Sequence, residues 1–224
     1  KGMENHKHIS TTAFKPMNGQ TISAYGTIGF GVEIHDYMMK GGARFGTYSL
    51  EMFINNELKF AYAMERISFD ESKYLNSFAD FDIYRDKNKK ITKCFIEPNN
   101  KLRIYKSEGS GLFDFSDGKI HTVKIIAKDI TGNKSELNFK IKSDRAMAVK
   151  APEKNKFTVM EIDCKKSCEF KTNSFKISFS EDAVYYHTDF VYTTSKQNLK
   201  YYSEFHHIHN ADIPLHDLPE ISIR

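Results

Sequence analysis

Histidine is the one titratable residue type that clusters in this chain. His206, His207, His209 and His216 follow Tyr201 and Tyr202 near the C-terminal end, and imidazole nitrogens are ligands for zinc and copper. His207 and His209 are the weak metal candidates of this group, because residues two apart share one face if the segment is a strand. Against a metal, the following Asn210-Ala211-Asp212-Ile213-Pro214 reads as a turn, which places the histidines on a solvent-facing loop. Cys164 and Cys168 lie four apart across Lys165-Lys166-Ser167, a spacing that fits either a small disulfide loop at a strand end or two free thiols. Cys94, between Lys93 and Phe95 in an expected strand, reads as a small buried hydrophobe. Three cysteines are too few for a disulfide scaffold and lack the spacing of a four-ligand structural zinc site. The acidic pairs Asp70 with Glu71 and Asp80 with Asp82 read as structural, and Asp129 as a turn residue beside Gly132. No glycine-rich phosphate loop, Gly-x-Ser-x-Gly elbow or His-Glu-x-x-His helix is present. The sequence therefore assigns no catalytic residue, no cofactor and no ligand-binding residue.

Composition narrows the class further. The 33 basic and 29 acidic residues give a net charge of +4 with no long basic block, which argues against nucleic acid as a partner. The longest basic tract, Lys87 to Lys90, reads as an exposed turn. Nothing approaches the ~18 consecutive apolar residues of a helical membrane span. The 18 Phe and 12 Tyr, with no Trp, suit aromatic-rich strands. A start at Lys1 without Met reads as part of a longer, processed protein.

The elements that would position these residues are strands. In Asp117 to Ile141, Val123, Ile125 and Ala127 alternate with Thr122, Lys124, Ile126 and Lys128, and Leu137, Phe139 and Ile141 repeat the pattern after Thr131-Gly132-Asn133. This predicts a β-hairpin whose apolar face needs a second layer. Residues 48–62 predict another hairpin around Asn55-Asn56. Ile28, Phe30, Val32 and Ile34 predict one long strand bent at Gly26, Gly29 and Gly31, and residues 94–106 predict a further strand broken at Pro98-Asn99-Asn100. Residues 68–85 predict a short helix with Ser68 and Glu71 as a capping box, crossing one end of a sandwich. The reading is mainly β: a connecting arm over 1–20, an immunoglobulin-like antiparallel β-sandwich with a short helical insertion over 21–143, a linker over 144–156, and a second, smaller or truncated β domain over 157–224.

Several motifs resemble a known family. They are Ile28-Gly29-Phe30-Gly31, Tyr48-Ser49-Leu50-Glu51-Met52-Phe53, Ser68-Phe69-Asp70-Glu71 with Tyr74-Leu75-Asn76, Cys94 to Leu102, the Asp129 to Asn133 turn, and Ser203 to His209 with Pro214-Leu215-His216. Together they resemble the region that follows the catalytic domain in bacterial lysostaphin-like zinc metalloendopeptidases, which cut peptide cross-links in peptidoglycan. The resemblance implies immunoglobulin-like β domains in an exported protein of the periplasm or cell envelope, with an upstream peptidase domain as partner and zinc in that domain. The family's zinc is held by a His-x-x-x-Asp pair and a later His-x-His. This chain has no His-x-x-x-Asp, and His207-Ile208-His209 lies outside the family's strand context. The resemblance thus implies a non-catalytic accessory module that positions the peptidase. The alternative is a glycan- or peptidoglycan-binding module without a peptidase partner, using exposed Tyr and Phe rings.

Overall fold

In the computed structural model the described residues are 19–37, 43–148, 155–196, 204–211 and 213–224. Most of the expected arm and part of the expected linker lie outside them. The protein is mainly β, with two short α-helices and several small, mostly antiparallel sheets. The chain divides into two compact units. The second joins Glu153–Arg224 to two segments from mid-chain, Asp70–Asn88 and Glu97–Lys101, and the first holds the rest.

The first unit contains β1 (Thr21–Ala24), β2 (Thr27–Ile28), β3 (Gly31–Glu33), β4 (Asp36–Tyr37), β5 (Arg44–Phe45), β6 (Ser49–Ile54), β7 (Glu57–Ala63), β8 (Ile91–Lys93), β9 (Phe113–Asp114), β10 (Ile120–Lys128) and β11 (Lys134–Ser143). Its main sheet has the order β1-β11-β10-β6-β7, antiparallel except for the β1–β11 pair. Both expected hairpins are present. Val123, Ile125, Ala127, Phe139 and Ile141 are buried from β10 and β11, as are Leu50, Met52 and Ile54 from β6. Asn55 and Asn56 both have positive φ, the backbone that a two-residue hairpin turn requires.

The expected long strand is instead four short pieces with different partners. β1 pairs with β11, β2 with β9, β3 with β8 and β4 with β5. The glycines explain the breaks. Gly26 has φ +90°, and a Cβ on Gly29 would sit 2.5 Å from the Phe95 ring. Residues 94–106 form irregular backbone, not the expected strand, because Gly111 packs directly against the backbone at Cys94 and Phe95.

The second unit holds α1 (Leu75–Phe78), α2 (Phe81–Lys87), β12 (Thr158–Ile162), β13 (Cys168–Lys171), β14 (Phe175–Phe179), β15 (Thr188–Ser195), β16 (Phe205–Ile208) and β17 (Glu220–Ile223). The expected single helix is broken at Ala79, whose backbone is extended, and the longer piece is capped by Asp80, which accepts from the Ile83 N–H at 3.0 Å. A 3-10 turn, Ser72–Tyr74, precedes the helices, with Glu71 at its N-cap position and no side-chain cap from that residue. Two sheets, β12-β15-β16 and β13-β14-β17, share one core. Ile162, Phe175, Ile177, Phe179, Phe190 and Tyr192 meet there, with Cys164, Ala183 and Val184. Phe175 stacks on Tyr192 at 5.0 Å, and Phe170 meets Phe190 at 5.9 Å.

Candidate functional site

The motif Cys94 to Leu102 brings polar side chains inward. Glu97, Asn99 and Asn100 are all buried. A carboxamide has two N–H donors, and Asn99 gives one to the Val184 carbonyl at 2.8 Å and one to the Cys164 carbonyl. Its backbone N–H reaches the Tyr185 carbonyl at 3.2 Å. The Asn100 amide donates to the Tyr74 carbonyl at 3.2 Å. Tyr185 is fully buried, and its hydroxyl donates to the Lys73 carbonyl at 2.5 Å. Burial pushes that phenol up to about 12. A mid-chain segment is thus clasped inside the second unit by hydrogen bonds to carbonyls on either side of β13–β14 in the sequence.

The histidines are built into the fold in the same way. His207 Nε2 lies 2.9 Å from Ser195 Oγ on the neighbouring strand. The ladder of β16 ends at Ile208, and His209 turns into left-handed backbone at φ +48°. Strand alternation therefore does not extend to His209, whose Nδ1 accepts from the Val191 N–H at 3.2 Å while its ring stacks on Phe190. His206 shares a hydrogen bond with Tyr192 Oη at 2.8 Å and stacks on Phe175. His216 donates from Nδ1 to the Asp182 carbonyl at 2.8 Å and packs on Tyr74. In the first unit His121 is buried between Asn55 and Asp117, at 2.9 Å from each.

Asp129 closes the β10–β11 turn. Its Oδ1 accepts from the Thr131 N–H and hydroxyl and from the Asn133 N–H, and its Oδ2 accepts from the Asn133 amide at 2.7 Å. These bonds, the Asn133 side chain foremost, hold its carboxyl below the ordinary aspartate range. Asp80 serves as the cap of α2, so this carboxylate too has a structural role.

Cys94, Cys164 and Cys168 are free thiols. Burial pushes Cys94 up to about 12 and raises Cys164 and Cys168 as well. Cys164 does have neighbours that the sequence reading missed. Asp163, Cys164 and His187 each offer a ligand-type atom, and these atoms lie within 4.8 Å of one another, the group of this kind found among the described residues. Ile162 pairs with Thr188 in the β12–β15 ladder, so the next step of the register sets Asp163 opposite His187. Their side chains meet at 3.5 Å, Asp163 Oδ1 to His187 Nδ1. Asp163 also accepts from the Lys165 N–H at 3.0 Å and pairs with Lys166 at 3.0 Å. The Lys165 N–H, then Lys166, hold its carboxyl below the usual range. No local spacing pointed to this group, because His187 is far from Asp163 in sequence and only the strand register joins them.

Residues 159–224 match a family model described as a Zu5-like domain. The match covers less than a third of the chain and starts inside β12. No peptidase family accompanies it. Neither the comparison with curated proteins nor that with solved structures returns a match.

Proposed function

We propose that this chain is a non-catalytic accessory module of an exported cell-wall metalloendopeptidase, built on immunoglobulin-like β layers and positioning an upstream zinc peptidase domain on peptidoglycan. The observation that carries the reading is what the resembling motif residues do. Gly29 makes room for Phe95, Asn99 satisfies two carbonyls of the second unit's interior, and Asp129 ties a turn. His207 and His209 spend ring nitrogens on Ser195 and on the Val191 N–H. Residues committed to packing and hydrogen bonding suit a rigid spacer, which needs a fixed shape and no reacting group. The test is zymography on purified sacculi with residues 1–224 alone. No clearing is expected, and clearing by this chain would overturn the reading.

A second reading, a glycan-binding module, is favoured by one specific feature. Tyr37 and Phe45 lie on the small β4–β5 ladder, each 47% exposed, and aromatic faces of this kind can stack on sugar rings. Retention on insoluble peptidoglycan, lost in Tyr37→Ala/Phe45→Ala, supports it. Failure of the wild-type chain to be retained excludes it.

A further inference from the structure

We infer that Asp163, Cys164 and His187 form a zinc-class metal site in the second unit. One carboxylate oxygen, one thiol sulfur and one imidazole nitrogen come within 4.8 Å of one another, close enough for small side-chain shifts to bring all three onto one ion. The donor set selects the metal. Sulfur and imidazole nitrogen favour zinc or a similar borderline ion over magnesium or calcium, which take oxygen. Two anionic donors, carboxylate and thiolate, would balance the charge of a divalent ion, with the fourth position left to water.

The geometry leaves the necessary atoms available. Lys166 engages Asp163 Oδ2, while Oδ1, which accepts the Lys165 N–H at 3.0 Å, has a second lone pair for an ion on the side of His187 Nδ1. His187 is more than half exposed, so an ion can reach the site from solvent, while Cys164 supplies sulfur from the buried side. The β12–β15 ladder ends at Ile162 opposite Thr188, the residues next to Asp163 and His187, and Asn99 holds the Cys164 carbonyl from within the core. On binding, the Cys164 S–H bond breaks, the proton passes to solvent, and the sulfur electron pair goes to the metal. The ion would tie the turn after β12 to the start of β15.

The test is equilibrium dialysis of the untagged chain against zinc, with metal analysis, alongside titration with cobalt as a spectroscopic stand-in. The expected result is one ion per chain and a thiolate-to-cobalt charge-transfer band. His187→Ala, at an exposed position, and Asp163→Asn, which can still accept the Lys165 N–H, should each weaken zinc binding by about tenfold or more. Circular dichroism confirms that both remain folded. His207→Ala/His209→Ala should bind as the wild type does. The inference is overturned if the untagged chain takes up no zinc at micromolar concentration, if binding survives both site variants, or if it is lost in the His207/His209 variant.

Discussion

At the scale of single residues, buried polar side chains decide more here than exposed ones. Asn99 satisfies the carbonyls of Cys164 and Val184, and Asn99→Ala would leave both buried without that donor. An unmet buried polar group costs about 1–3 kcal/mol, so Asn99→Ala should lower stability by at least that amount, read as a fall in the urea midpoint. Asp129 gives a pH dependence whose sign follows from its lowered folded value. Its contribution is fully present above the unfolded aspartate value and is lost as pH falls through the folded one. The stability difference between the wild type and Asp129→Ala, followed by urea unfolding, should therefore hold at neutral pH and shrink as pH falls below the ordinary aspartate value of about 4. The thiols give a third expectation. Cys94 is fully buried and shifted up to about 12, whereas Cys168 is only partly buried. Alkylation of the folded chain, followed by mass spectrometry, should label Cys168 first and leave Cys94 unlabelled.

At the scale of elements, turns and close approaches set the strand pattern. Asn56 sits at φ +69° between β6 and β7, a conformation that costs an ordinary side chain about 1–2 kcal/mol. Asn56→Ala should lose stability of that order, and Asn56→Gly should not, as thermal melts would record. Both hairpins were legible because alternation along 48–62 and 117–141 coincides with turn residues at the right places, and one face of each is buried. The segment 21–37 was not legible as four pieces. Its apolar alternation is that of one strand, and only the packing of Phe95 against Gly29 shows that the chain must change partners. The helix over 68–85 was legible in kind but not in its break, since only the structure shows Ala79 extended and Asp80 accepting from Ile83 to start a second piece. The grouping of Asp163 with His187 rests on strand register, which no spacing along the chain encodes.

At the scale of the whole molecule, chain order and compact units do not coincide. Asp70–Asn88 and Glu97–Lys101 cluster with the residues from Glu153 onward, so the chain leaves the first unit and returns to it before the expected linker is reached. Residues 153–224 alone would lack Asn99, which serves the Cys164 and Val184 carbonyls, and the Lys73 carbonyl that Tyr185 uses. That piece should give a poorly dispersed amide spectrum, and a well-dispersed spectrum with the melting temperature of the whole chain would contradict the clasp. The Zu5-like match over 159–224 covers the strands of the second unit but neither inserted segment. The proposed positioning role requires a peptidase domain in the same protein, and its sharpest test is to delete residues 1–224 from that protein and measure two rates, digestion of purified sacculi and hydrolysis of a soluble cross-link peptide. The account predicts that sacculus digestion falls while hydrolysis of the soluble peptide is unchanged. Loss of soluble-peptide hydrolysis, or undiminished digestion of sacculi, would contradict it.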